Sequence, residues 1–366
     1  MATTEIANHI FQQLRDGRSA EEAVTYVAVP GNEMARWLLP TASPEIGGVL
    51  AGWAPYRLWS RMAWKAVRAA SQLGRTAGIP GVSLLRVDGT RGADWASLGW
   101  RGCEPPIAAI YLGTPGPRRK AVVHLVDRAS GNCRAIVKVP LTDEAKAAVL
   151  HEAEALEALA NEQYEHSPLL LHVDWPRGIT TQTFIEGRPG ARKLTPEFWR
   201  LLRSLLLPGE TTTLADHAEK WARGGSLAGD GTAEDRNVTA AIDELRDDSP
   251  LPACWEHGDF TPWNIKRLSD GRCALLDWEE AQRRRLPLQD AYHFLHMQDW
   301  LFGGQPKLHA AEVWEDAIEM GVQPERCREL EVAYLVSSHL KCVREHNHKR
   351  ARFVSSALAL LQRKAA

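Results

Sequence analysis

Clustered cysteines are missing from this sequence: its six cysteines are scattered, and no two form a CxxC pair. This spacing argues against a disulfide framework and a zinc ribbon, and it is typical of a protein kept in a reducing compartment. No run reaches the 18 or so apolar residues of a membrane span, and the N-terminus lacks the basic and apolar regions of a secretory signal. We therefore expect a cytoplasmic protein with no membrane partner.

An excess of either charge is also missing. The chain has 44 Lys and Arg against 46 Asp and Glu, a formal net charge of −2, and the two signs remain nearly balanced in residues 187–366. Nucleic-acid-binding proteins usually carry a strongly basic face, so we do not expect nucleic acid as a partner. The composition does not indicate an oligomeric state.

The length of 366 residues favours two or three domains. We place an extension of unknown role at residues 1–104, with two short helices before residue 30, a helix over 55–74 and an irregular linker with one strand over 75–106. The extension could cap the next lobe, mediate dimerisation or bind a partner. We prefer simple packing on that lobe.

Residues 105–186 have the pattern of a small α+β lobe. Short apolar runs at 107–113, 120–127 and 134–140 are separated by turn residues and predict an antiparallel meander. A helix with Thr142 as its cap follows over 141–160, and a further strand over 178–187. Residues 187–366 are predicted to form a mainly helical lobe, apart from the segment around 255–280.

The chemistry-bearing residues are concentrated in HGDFTPWN (257–264) and the following LLDWE. Asp259 is followed by Asn264 and, thirteen residues later, by Asp277. Magnesium prefers hard oxygen ligands, which Asn264 and Asp277 provide. The remaining carboxylate, Asp259, can then orient an attacking hydroxyl toward a phosphorus atom.

The segment resembles the catalytic loop and metal motif of the aminoglycoside phosphotransferase and choline kinase family, relatives of protein kinases. The resemblance implies a two-lobed protein-kinase-like fold, ATP or another nucleoside triphosphate, and Mg²⁺. It makes Asp259 the catalytic base and Asn264 and Asp277 the metal ligands, with His257 bracing the loop.

The same resemblance predicts a strand lysine that holds the nucleotide phosphates and a helix glutamate that pairs with it. Lys138 is the only lysine in its strand. Glu152 has leucines four and seven residues later, at 156 and 159, which is the register seen in the family.

Further nucleotide contacts are assigned by the resemblance to Gly113 and Gly116, and to Phe184 and Ile185 near the junction of the lobes. The glycine loop departs from GxGxxG, and Pro115 removes one backbone donor from it.

A small hydroxylated molecule is the predicted acceptor. The twelve residues between Asp277 and Asp290 contain no Ser, Thr or Tyr, which argues against a regulated protein kinase. A sugar, polyol, amino alcohol or aminoglycoside remains open, although an aminoglycoside would favour a more acidic lobe. Candidate acceptor contacts are Glu279, Asp299 and Trp300, and His293 could likewise face the acceptor. The alternative function is a catalytically silent, nucleotide-binding regulatory protein.

Overall fold

The computed structural model describes residues 2–15, 23–31, 35–41, 43–53, 55, 58–88, 93–223 and 233–363. The chain divides into two compact units. The first comprises Met1–Pro189 with Lys266–Asp270, and the second comprises Gly190–Ile265 with Gly271–Ala366. We call them the N-terminal and C-terminal units.

The N-terminal unit is built on one antiparallel sheet of eight strands, in the order β3-β1-β2-β4-β5-β6-β8-β7. The strands are β1 (Ala23–Val29), β2 (Trp37–Pro40), β3 (Ser83–Asp88), β4 (Ile107–Leu112), β5 (Lys120–Val126), β6 (Cys133–Pro140), β7 (Leu170–Asp174) and β8 (Ile179–Thr183). Its helices are α1 (Thr3–Gln13), α2 (Gly47–Ala51), α3 (Leu58–Gln72) and α4 (Asp143–Asn161). The predicted meander and the helix after it are confirmed.

Residues of the predicted extension supply three of these eight strands. Strand β2 pairs with β4, with Trp37 opposite Tyr111 and Leu38 opposite Ile110, and β1 joins β2 to β3. The boundary predicted at residue 104 therefore falls within one compact unit. The second short helix predicted before residue 30 is wrong, because Ala23–Val29 is a strand.

Apolar side chains cover both faces of the sheet. Val123 and Val137 point into a core that also contains Phe11 of α1, whereas Trp37 and Trp64 belong to a second core that α3 helps to form. Because side chains alternate along a strand, Lys138 lies on the face opposite to Val137.

The C-terminal unit is mainly helical. Its helices are α5 (Pro196–Arg203), α6 (Leu214–Arg223), α7 (Ala233–Glu244), α8 (Gln289–Gln298), α9 (Trp314–Glu319), α10 (Cys327–Arg344) and α11 (His348–Arg363). A π-helical turn, Asp299–Gly303, follows α8. A small sheet pairs β10 (Leu206–Thr212), β11 (Leu251–Glu256) and β14 (Gln282–Arg285).

Three very short strands remain: β9 (Arg188–Pro189), β12 (Ile265–Arg267) and β13 (Cys273–Leu275). The α+β class, with a sheet-based unit and a mainly helical unit, is confirmed. Among the described residues, no helix is both long enough and apolar enough to cross a bilayer.

His217 makes the stability of the C-terminal unit depend on pH. It is fully buried; Arg285 donates to its Nδ1 at 3.1 Å, and its Nε2 lies 3.1 Å from the Thr212 hydroxyl. Burial and the Arg285 charge lower the pKa of His217 to about 3. As the pH falls, this histidine takes up a proton in the unfolded chain before it does so in the folded protein. The contribution of His217 to the free energy of unfolding is therefore complete above about pH 6.5 and is lost as the pH falls.

We predict that His217→Gln flattens the pH dependence of unfolding. Between pH 6.5 and pH 5 the parent should lose about 2 kcal/mol through this group, and the variant should lose that much less. Urea unfolding at the two pH values measures the difference. Replacement of the exposed His151 by Gln serves as the control and should leave the slope unchanged. Equal slopes for the parent and His217→Gln would contradict the assignment.

Candidate active site

The N-terminal unit contributes a buried ion pair. Lys138 on β6 places its Nζ 2.6 Å from both carboxylate oxygens of Glu152 on α4. The Glu152 side chain is completely buried, and only 5 % of the Lys138 side chain is exposed. The two residues selected from the sequence are therefore in direct contact. A carboxylate with both oxygens on one ammonium fixes the direction in which the lysine points.

Helix α4 starts where it does because Thr142 caps it. The Thr142 hydroxyl accepts a hydrogen bond from the Ala145 amide at 3.0 Å, and Asp143 and Glu144 place negative charge at the positive end of the helix. The same hydroxyl donates to the Pro117 carbonyl. This contact links the start of α4 to the glycine loop that joins β4 to β5.

That loop contains the predicted Gly113 and Gly116. The Gly113 amide donates to the Lys120 carbonyl at 2.9 Å, and a side chain at 113 would collide with the same oxygen. Gly116 has open space around it. Phe184 and Ile185 follow β8 and are half-buried, and the Phe184 ring lies 6.1 Å from that of His124.

In the C-terminal unit, the catalytic segment (residues 257–264) follows β11. Gly258 has φ of +78°, and a Cβ there would lie 2.8 Å from Glu280 atoms, so the turn requires glycine. The segment is tied to α8 because the Asp290 carboxylate accepts the His257 amide at 2.7 Å and the Gly258 amide at 3.0 Å. Burial and the Glu256 carboxylate raise the pKa of Asp290 to about 8, against these two donors.

His257 is fully buried and bonds to the backbone on both sides of its ring. Its Nε2 lies 2.9 Å from the Leu276 carbonyl, and its Nδ1 accepts from the Asp259 amide at 3.3 Å. The ring packs edge-on against Trp278 at 4.8 Å. These contacts are those of a bracing residue.

The Asp259 carboxylate is held from two sides. His293 on α8 places its Nε2 3.2 Å from Oδ1, and the Asn264 amide nitrogen lies 2.8 Å from Oδ2. Burial acts to raise the pKa of Asp259, but the His293 hydrogen bond and the charges around it, including Lys341, outweigh it and hold the pKa below its ordinary value. The side chain remains 35 % exposed, so an incoming group can reach it.

Asn264 turns its side-chain nitrogen toward Asp259, so its side-chain oxygen could serve as a metal ligand. The nitrogen also donates to the Asp259 carbonyl at 3.0 Å. The Asn264 carbonyl accepts from the Leu276 amide at 2.8 Å, so the backbone of Asn264 lies beside the residue that precedes Asp277. Asp277 has φ of +68°, a left-handed conformation uncommon for residues other than glycine and concentrated at functional sites.

These two residues fit a magnesium ion that takes most of its ligands from phosphates and water. Among the described residues, no cluster of three or more His, Cys, Asp or Glu side chains is placed to hold a metal. One carboxylate and one carboxamide are oxygen ligands of the type that Mg²⁺ uses when a nucleotide supplies the others.

The three predicted acceptor residues have surroundings of their own. The Asp299 carboxylate is buried and lies 2.7 Å from Nε2 of His309. The Trp300 ring packs edge-on against Phe353 at 5.3 Å. Glu279 is half-buried and two residues beyond Asp277.

Comparison with known proteins identifies the family. The model of the phosphotransferase enzyme family, APH, matches residues 116–330. The chain belongs to this phosphotransferase enzyme family. The match spans Lys138, Asp259, Asn264 and Asp277, and it confirms the family resemblance and the prediction of a phosphotransferase. A comparison with curated proteins found no match.

Among solved structures, this phosphotransferase is similar to a thermostable mutant of aminoglycoside phosphotransferase APH(4)-Ia, at 15% identity and a TM-score of 0.49, covering 70% of this chain and 94% of the other. It is also similar to choline kinase LicA from Streptococcus pneumoniae, at 15% identity and a TM-score of 0.47, covering 68% of this chain and 92% of the other. A third similar structure is a type I macrolide 2'-phosphotransferase, at 17% identity and a TM-score of 0.45, covering 68% of this chain and 90% of the other. The family assignment does not depend on these similarities.

From the sequence, His293 was predicted only as a residue that could face the acceptor; the structure adds its hydrogen bond to Asp259. The spacing of three residues between Asp290 and His293 was the available signal, because it puts both side chains on one face of a helix.

We predict that Glu152→Ala destabilises the N-terminal unit, because it leaves the Lys138 ammonium buried without its partner. The expected loss is about 3–5 kcal/mol in the free energy of unfolding. The double replacement Lys138→Met with Glu152→Leu should recover most of it. Denaturant unfolding of the parent, the single variant and the double variant measures both effects. An unchanged free energy of unfolding in Glu152→Ala would contradict the role given to the ion pair.

We predict that His293→Leu lowers kcat by about tenfold to a hundredfold, since a hydrogen bond to a charged group is worth about 1.5–3 kcal/mol. His293→Gln, which can keep an N–H near the same position, should retain most of the activity. The KM for the phosphoryl donor should change little in both variants. If kcat fell equally in the two variants and in proportion to a loss of folded protein, His293 would contribute only to packing.

Proposed function

We propose that this phosphotransferase transfers the γ-phosphoryl group of ATP, or of another nucleoside triphosphate, to a hydroxyl group of a small molecule, with Mg²⁺ as cofactor. The observation that carries the proposal is the Asp259 carboxylate: it is held by His293 and Asn264, its pKa is lowered, and it remains partly exposed. Phosphoryl transfer needs mainly positioning and charge neutralisation, and this arrangement supplies a positioned proton acceptor.

In the proposed reaction, the acceptor hydroxyl donates its proton to Asp259 as its oxygen bonds to the γ-phosphorus. The bond from that phosphorus to the bridging oxygen breaks, and the nucleoside diphosphate leaves with the electron pair. His293 and Asn264 keep the carboxylate aimed during transfer, since each occupies one of its oxygens.

The remaining roles follow the residue types. Asn264 and Asp277 would hold Mg²⁺, which when bound neutralises charge on the phosphate oxygens. Lys138, fixed by Glu152, would bind phosphate oxygens, and Gly113, Gly116, Phe184 and Ile185 would contact the nucleotide. A cytoplasmic location, with no nucleic acid partner, belongs to the same proposal.

A nucleotide-binding protein without turnover is the second candidate. Degenerate relatives usually lose one of the polar residues, and this chain retains Lys138, Glu152, Asp259, Asn264 and Asp277. Nucleotide binding without phosphorylated product, across a broad acceptor panel, would favour the silent protein.

We predict that Asp259→Ala abolishes transfer but leaves nucleotide binding nearly intact, because Asp259 acts on the hydroxyl. Asp277→Ala should weaken the binding of the magnesium–nucleotide complex as well. ADP release, with the product mass confirmed, measures transfer, and calorimetry with and without Mg²⁺ measures binding.

Asp290→Asn is a useful comparison, because Asp290 holds the segment without touching Asp259. It should lower stability and activity together. Asp259→Ala with the activity of the parent would overturn the proposal.

A further inference from the structure

Arg350 on α11 is a cation near the catalytic carboxylate that the proposed chemistry does not use. The two are connected by a short series of contacts. His293 lies 3.2 Å from Asp259, the His293 ring is 6.0 Å from the Tyr334 ring on α10, and the Arg350 guanidinium lies beside the Tyr334 hydroxyl. Four elements thus converge here: the catalytic segment, α8, α10 and α11.

Arg350 lacks a carboxylate partner. It is half-buried, and no carboxylate among the described residues forms an ion pair with it. Lys341, another cation near Asp259, is already paired, with its Nζ 3.3 Å from Glu280. A guanidinium has five donors, and the Tyr334 hydroxyl can occupy only a part of them.

Arg350 also remains charged. Burial acts against the charged form, but arginine does not lose its proton in proteins, and the Tyr334 hydroxyl and the Asp259 carboxylate outweigh burial and raise the pKa of Arg350. Removing a charge from water without a carboxylate in direct contact is costly, and guanidinium matches carboxylate and phosphate geometry with two parallel hydrogen bonds.

We propose that the acceptor carries an anionic group, a carboxylate or a phosphate, and that Arg350 binds it while Asp259 receives the hydroxyl proton. This inference rests on the proposed function and selects the substrate class. A hydroxy acid or a phosphorylated polyol fits. A polycation such as an aminoglycoside does not, because its ammonium groups would meet Arg350.

The acceptor class is tested with matched compounds: glycerol, glycerate and glycerol 3-phosphate; glucose, gluconate and glucose 6-phosphate; and choline and an aminoglycoside as cations. Product formation with ATP and Mg²⁺ gives kcat/KM for each compound. An anionic member should exceed its neutral counterpart at least tenfold. The carboxylate and phosphate members then tell which anion is preferred.

The residue is tested with Arg350→Met, Arg350→Lys and, as the matched control, Arg352→Met, which removes an exposed arginine of the same helix. Arg350→Met should raise the KM for the anionic acceptor at least tenfold and leave the KM for nucleotide unchanged. Arg350→Lys should lie between Arg350→Met and the parent, and Arg352→Met should match the parent.

Three kinetic results would overturn the inference while leaving the proposed function intact. They are Asp259-dependent transfer that prefers a neutral or cationic acceptor, an unchanged acceptor KM in Arg350→Met, and an increase in the nucleotide KM instead. Calorimetry with the same compounds gives a readout that needs no turnover, and equal binding by the parent and Arg350→Met would also overturn it. If the parent protein neither bound nucleotide nor transferred phosphate, the proposed function itself would be refuted.

Discussion

One carboxylate and one imidazole, which lie one helical turn apart on α8, fix the position of the catalytic segment. Asp290 accepts the amides of His257 and Gly258, and His293 lies 3.2 Å from Oδ1 of Asp259. The other oxygen of Asp259 faces the Asn264 nitrogen, so the positions of both side chains depend on this contact with α8. The turn at Gly258, where a side chain would collide with Glu280, brings the segment into that position.

The N-terminal unit holds the Lys138 ammonium in a fixed direction on its sheet. Lys138 is buried, and Glu152 offsets the cost of its charge with both oxygens. The strands from residues 1–104 enlarge the sheet around this pair, and α3 helps to form the second of its two apolar cores. The extension is thus part of the scaffold.

The parts predicted from sequence are those with local signals. The β4–β6 meander has turn residues between apolar runs, α4 has a cap, and Asp259, Asn264 and Asp277 have fixed spacing. Strand β2 was not predicted, because its four residues are all buried and show no alternation. Its identity as a strand comes from pairing with β4, about 70 residues away. The contact between the Asp299 carboxylate and His309 is tertiary, so the spacing of residues along the chain does not reveal it.

In the proposed reaction, Asp259 accepts a proton during a single direct transfer. The stereochemical course at phosphorus distinguishes this from transfer through a phosphorylated enzyme, with a nucleotide whose γ-phosphorus is chiral through isotopic labelling and with the best acceptor found. A single in-line transfer predicts inversion of configuration in the product. Retention would require two successive displacements through a phosphorylated enzyme, with a side chain such as Asp259 as nucleophile, and would contradict the account.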